Sequence, residues 1–254
     1  MICLSVYNEK GGVGKTTVTA MLASFLAYAG GKRVRVIDMD NPAFHLHDMR
    51  SRELVTLRDP SSPLALWLRE HPETPAPYDI IRLLPRKDGV YNPEALLQSI
   101  DDITGSGAQD YILYDLPGRL TPDSPAAVLA ANGYLDRVFI PIDTDRQSRQ
   151  SGMLVADTMH SLGVPVALFW NRVSVYEAKG SAIRFQRGAE PFLSRGFPVM
   201  DEMIRDIRKF SRDSSERTFI RSTLCFPDRY VNMWIPTLIP FLEALRARID
   251  NPQP

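Results

Sequence analysis

Apolar residues along this chain come in short runs separated by polar, glycine-bearing turns, and two kinds of spacing alternate. Ile2 to Tyr7 is an apolar run of strand length, and Arg33 to Ile37 is a second. The second run lacks a clean in-out alternation, which is the pattern of a strand covered on both faces of a parallel sheet. Between them, Thr16 to Ala29 repeats apolar positions at helical spacing and stops at Gly30-Gly31. Further strands are predicted over Asp79 to Leu84, Tyr111 to Tyr114, Val138 to Ile142, Val164 to Trp170 and, briefly, Phe197 to Met200. Helices are predicted over Leu64 to Arg69, Pro93 to Ile103, Pro122 to Asn132, Gln147 to Leu162, Ala178 to Leu193 and about Tyr230 to Ile249. This alternation predicts an α/β fold: a doubly wound, mostly parallel sheet flanked by helices, with its ligand crevice beyond the carboxyl ends of the strands. The 254 residues are read as a single domain, 1–254, with no helix-turn-helix domain ahead of the first strand.

Composition narrows the class. With 44% hydrophobic and 24% charged residues and no apolar run of membrane-spanning length, the chain reads as globular, neither disordered nor inserted in a bilayer. The first residues show no basic segment leading into an apolar one, so a cytoplasmic location is expected. Cys3 and Cys225, far apart and in no CxxC pair, are read as buried thiols. The formal charge is zero, yet between Arg172 and Arg221 eleven basic residues face seven acidic ones, so a local basic face is compatible with a neutral whole.

The densest chemistry lies between the first strand and the first helix, in Glu9-Lys10-Gly11-Gly12-Val13-Gly14-Lys15-Thr16-Thr17. Glycines let successive backbone N–H groups curl around an anion, the following helix points its positive end at it, and Lys15 adds a cation near terminal phosphate oxygens. The Thr16 hydroxyl is placed for Mg²⁺. A conventional phosphate loop carries glycine where this chain has Glu9, and here a second lysine, Lys10, follows it. Carboxylates sit at two predicted strand ends, in Asp38-Met39-Asp40 and in Asp115 of Tyr111-Ile-Leu-Tyr-Asp115-Leu-Pro-Gly118. Such residues can hold metal-bound waters and orient an attacking one.

The segment Lys10-Gly-Gly-Val-Gly-Lys-Thr-Thr resembles the deviant Walker A motif of the ParA/MinD family of P-loop ATPases, and the element order matches over nearly the whole chain. The resemblance implies a slow, partner-stimulated ATPase with ATP and Mg²⁺ as its ligands, dimerising in the ATP state. It implies nucleotide contacts from Lys10, Gly11, Gly12, Val13, Gly14, Lys15, Thr16, Thr17, Gly118 and Asn171, with Lys10 reaching the partner's nucleotide and Asn171 reading adenine. It implies metal-side roles for Thr16, Asp38 and Asp115, and catalytic roles for Lys10, Lys15 and Asp40, the last positioning the hydrolytic water. Among the branches it points to ParA-type partition, with a homodimer on nonspecific DNA, a ParB-like activating partner and a nucleoid-associated location. The alternative is a MinD-like or conjugation- or secretion-associated positioning ATPase acting on membrane or protein cargo. Asn41-Pro42 stands where partition members usually carry Pro-Gln, which keeps that alternative open. Cluster-carrying relatives are excluded, because neither cysteine flanks Asp115-Leu-Pro-Gly118.

Three weaker signals remain. His45-x-His47-Asp48 has ligand-type residues but no defined third ligand, and is read as solvated loop. Arg205, Arg208, Lys209, Arg212, Arg217 and Arg221, around Phe210 and Phe219, are candidates for phosphate contacts along a duplex, against the plain alternative of a solvated charged face. The apolar positions of the final helix are read as core rather than as a membrane-lying face, so no stable membrane insertion is expected.

Overall fold

The computed structural model describes residues 1–84, 91–105, 107–174, 182–205 and 222–251. Its frame is one six-stranded sheet, all parallel, of strands β1 (Ile2–Val6), β2 (Val34–Asp38), β3 (Asp79–Arg82), β4 (Tyr111–Asp115), β5 (Arg137–Ile142) and β6 (Val166–Trp170), in the order β3-β2-β4-β1-β5-β6. The chain leaves β1 toward one edge and β4 toward the other, so a crevice opens beyond the ends of these two central neighbours. β1, β4, β5 and β6 bury almost every side chain, as their largely apolar sequences require.

Helices cover both faces. On one, α1 (Lys15–Ser24), α2 (His45–Thr56), α8 (Asp228–Trp234) and α9 (Leu238–Asp250) contribute to an apolar core that includes Leu22, Leu46, Val231 and Leu242. On the other, α4 (Pro93–Thr104), α5 (Pro125–Ala131), α6 (Arg146–Ser161) and α7 (Ala182–Leu193) enclose a second core with Ile100, Leu129, Val155 and Phe192. The remaining helix, α3 (Pro63–Glu70), makes a small separate cluster in which Leu64 meets Leu224 and Cys225. Helices α3, α4 and α5 start where Ser62, Asn92 and Ser124 cap a proline-led first turn. Both cysteines are buried, and burial pushes the Cys3 thiol up to about 11 and that of Cys225 up to about 12.

Several boundaries differ from the sequence reading. The first helix turns into a π-helical segment over Phe25–Ala29 before Gly30. Helix α2 begins at His45, so His45, His47 and Asp48 form its first turn rather than the solvated loop that the sequence predicts. The expected strand over 197–200 is only an isolated bridge, Leu168 to Val199, on the outer side of β6. The predicted final helix is two helices, broken at Ile235-Pro236-Thr237, where a proline cannot continue the ladder. On α9, Leu238, Phe241, Leu242, Leu245 and Ile249 are buried against the sheet, so this apolar face is core. Among the described residues, no helix is long and apolar enough to cross a membrane.

Candidate nucleotide site

The loop between β1 and α1 is built for close approach. Gly12 and Gly14 have φ of +74° and +94°, a region in which a side chain is strained. At Gly14 a Cβ would also lie 2.4 Å from the Asn171 amide nitrogen. Gly14 is the N-cap of α1 and has no side chain to offer, so the N–H groups of the first turn keep their capacity for an anion. Lys15, first in the helix, lays its ammonium 3.3 Å from the Lys10 carbonyl and against the loop that follows β4. Burial pulls its pKa down, and the charges of Asp40 and Asp115 push back.

The two strand-end carboxylates stand side by side, because β2 and β4 pair Asp38 with Asp115. Both are wholly buried, but their surroundings differ. Asp38 accepts from the N–H groups of Leu46 (3.1 Å), His47 (3.0 Å) and Asp40 (3.3 Å), so it caps α2 from outside the helix. Burial pushes its pKa up against those bonds. In Asp115, Oδ1 accepts from the Thr16 hydroxyl at 3.2 Å while Oδ2 is buried with no partner. Burial first, and Asp38 second, push Asp115 up to about 8. An orphaned buried carboxylate oxygen beside a hydroxyl is a hard-oxygen donor set that fits Mg²⁺, an ion that keeps several of its own waters. Among the described residues, no group of three or more His, Cys, Asp or Glu gathers at metal-binding spacing, the His45-x-His47-Asp48 stretch included.

With this geometry in view, comparison with known proteins is informative. Residues 4–215 match the model of the CobQ/CobB/MinD/ParA nucleotide binding domain. The chain belongs to this family. It is 26% identical over 205 residues to the chromosome-partitioning ATPase Soj of Thermus thermophilus, across 74% of this chain and 78% of that one. It is 31% identical over 154 residues to the chromosome partitioning protein ParA of Caulobacter vibrioides, a span of 56% of either chain. The solved MinD cell division protein of Aquifex aeolicus shares the fold with a TM-score of 0.65 at 20% identity, covering 100% of this chain and 99% of that one.

In this ParA/MinD-type domain, the loop residues, Lys15, Thr16, Asp38, Asp40, Asp115 and Gly118 converge at the carboxyl end of the sheet. Gly118 is pressed so close that a Cβ there would sit 2.9 Å from the Glu9 carbonyl and 3.2 Å from the Lys15 ammonium. Gly11 and Gly12 are exposed, and Thr17, the third residue of α1, is half-buried. Lys10 forms an ion pair with Asp145, the N-cap of α6, and lies 3.4 Å from the Gln147 amide oxygen. The Asn171 carboxamide is buried and donates to the Val13 carbonyl at 2.6 Å. Of the basic candidates, Arg205 is exposed beside Val173, while Arg208, Lys209, Arg212, Arg217 and Arg221 lie outside the described residues.

Three structural contributors escape a motif reading. The Asn8 amide donates to the Pro141 carbonyl (2.8 Å) and its oxygen accepts from the Lys10 N–H (3.1 Å), which ties the loop to β5. The Glu9 carboxylate accepts from the Leu120 N–H at 3.0 Å, binding the loop to the segment after β4. Arg172, at a φ of +58°, donates to the Gly12 carbonyl. The only sequence signal for these is position, directly before the glycines and directly after Asn171.

Proposed function

We propose that the chain is a Mg-ATP-dependent dimerising ATPase switch of the ParA type, which binds nonspecific DNA in its ATP state and is reset by a ParB-like partner. The observation that carries this reading is the pairing of two lysines in one glycine loop. Lys15 is half-buried among Asp40, Asp115 and the loop carbonyls, whereas Lys10 sits at the outer rim, held by Asp145. A cation on the rim, once released from Asp145, can reach outside its own site, and the family resemblance supplies the partner's nucleotide as its target. ATP with Mg²⁺ would bring the transferable phosphoryl group and its charge neutralisation. The loop N–H groups and Lys15 would hold the phosphates, Thr16 and Asp115 would face the metal, and Asp40 would position the attacking water. The curated relatives named for chromosome partitioning support the DNA reading over membrane cargo, as does the burial of the α9 apolar face.

The deciding experiment is fluorescence anisotropy of a labelled random-sequence duplex, with a slowly hydrolysed ATP analogue or with ADP, at two salt concentrations. Binding confined to the ATP-analogue state and weakening steeply with salt is the expected result. Absence of binding in both states removes the DNA reading and makes protein or membrane cargo the better one.

A further inference from the structure

Three consecutive residues at the end of β6 are pinned through their own backbone. The Asn171 N–H donates to the Ile142 carbonyl at 2.7 Å, the Arg172 N–H to the buried Asn171 Oδ1 at 2.9 Å, and the Val173 N–H to the Ile204 carbonyl at 3.1 Å. Between these anchors Arg172 takes a φ of +58°, a left-handed conformation uncommon for a residue with a side chain. Such a conformation persists where its surroundings over-determine it, and it clusters at sites that grip a ligand. Here it accompanies two successive side chains that reach back to two successive carbonyls of the glycine loop. The Asn171 Nδ2 donates to the Val13 carbonyl at 2.6 Å, and the Arg172 guanidinium donates to that of Gly12. A trans peptide is planar, with its C=O and N–H pointing opposite ways. Fixing the carbonyls of Gly12 and Val13 on the β6 side therefore also fixes the N–H groups of Val13 and Gly14, turned away from that side.

From this we infer that Arg172 is a positioning residue for the phosphate cradle: with Asn171 it clamps the loop from behind, so that two N–H groups are aimed before nucleotide arrives. This role rests on the nucleotide-switch reading above and adds to it what sets the nucleotide's residence time. Donors already oriented in the free protein spare the ordering cost that a slack loop incurs on binding. Gly12 needs the support, because it is exposed, follows another glycine, and has the freest backbone of any residue type. A guanidinium suits the task, since it stays charged and gives a charge-assisted bond whose strength does not depend on pH. Loop N–H groups of this kind cradle the α- and β-phosphates, which ADP and ATP share. The clamp therefore lengthens the stay of both.

The test follows release of fluorescently labelled ADP and of a slowly hydrolysed, labelled ATP analogue from the full chain, with Arg172→Gly, Arg172→Ala and Arg172→Lys beside the wild type. Glycine removes the guanidinium and relaxes the backbone, alanine removes the guanidinium alone, and lysine keeps a cation at the rim. Release of both nucleotides should quicken roughly five- to tenfold in the glycine and alanine variants alike, the loss of one charge-assisted hydrogen bond, with association within about twofold of the wild type. Lysine should restore part of the loss. In nucleotide-free protein, the ¹⁵N order parameters of the Val13 and Gly14 amides should fall from about 0.85 toward about 0.6 in the glycine variant, with those of β5 unchanged. Wild-type release from the glycine variant overturns the proposal, as does faster release with unchanged order parameters. A shifted preference between ATP and GTP in these variants would place the guanidinium on the base and overturn it too. A wild type that retains neither nucleotide overturns the switch reading together with the clamp.

Discussion

At the scale of single residues, the site's character comes from burying charge before any ligand arrives to compensate it. Asp115, with one oxygen orphaned and Asp38 alongside, has its pKa pushed from the ordinary carboxylate range to about 8. A carboxyl whose pKa is raised by folding contributes to stability fully at low pH, below its unfolded pKa, and that contribution is lost as pH rises through its folded value. The nucleotide-free protein should therefore lose stability between about pH 4 and 8. Asp115→Asn should melt close to the wild type at the acid end and several degrees above it at the alkaline end, while losing Mg²⁺-dependent retention of nucleotide. Thermal unfolding of both proteins across that range checks this, and parallel melting curves at every pH would exclude Asp115 as the source. Gly14 gives a second case. Alanine there meets a φ of +94° and the Asn171 amide, which is itself fixed on Val13, so Gly14→Ala should cost about 1–3 kcal/mol in denaturant unfolding and abolish nucleotide binding.

At the scale of elements, what could be read from the sequence followed from local pattern, and what could not was decided at a distance. The strands β1, β4, β5 and β6 are runs of apolar residues bounded by turns, and their limits fall within a residue or two of expectation. Helix α2 has no such signature, because among its twelve residues only Leu46 is buried and its N-cap position, Phe44, offers no side-chain acceptor. Its cap is the Asp38 carboxylate at the end of β2, eight residues before Leu46, a device that no local capping rule detects. Further along the same helix, Arg50 and Glu53 grip Thr223 from 170 or more residues away, with the Arg50 guanidinium 2.7 Å from both the Thr223 hydroxyl and its carbonyl. Helix α2 thus joins the carboxylate end of the site to the strap that leads into α8. Asp38→Ala should loosen its first turn by about 1 kcal/mol, which hydrogen exchange would register as faster exchange at Leu46 and His47 with α6 unchanged. Equal exchange in the variant would show that α2 is held by its packing alone.

At the scale of the whole molecule, the glycine loop and both carboxylate strand ends were legible because the chemistry demands those residue types at those places. The direction in which Lys10 points was not, since a lysine stem reaches many positions and only the fold brings α6 beside it. In the isolated chain Lys10 is held by Asp145 and Gln147, both on the rim of its own site. On the function proposed above, Lys10 must leave Asp145 to serve a partner's nucleotide, so this ion pair would oppose dimerisation. Lys10→Ala should bind ATP yet remain at the 28.6 kDa of one chain in light scattering, where the wild type should double with ATP. Asp145 must be replaced with care, because its other oxygen caps α6 through the Gln147 N–H at 3.1 Å. Asp145→Asn keeps an N-cap acceptor while removing the charge, so it isolates the ion pair from the helix. Exposed pairs are weak, and the expected gain is accordingly small, roughly two- to fivefold tighter ATP-dependent dimerisation by sedimentation, with nucleotide affinity of the monomer unchanged. The gain should shrink at high salt, where screening already weakens the pair in the wild type. A variant that dimerises no better at low salt, or one whose monomer binds ATP differently, would show that Asp145 does not restrain Lys10 and that the lysine's position in the free chain is of no consequence for assembly.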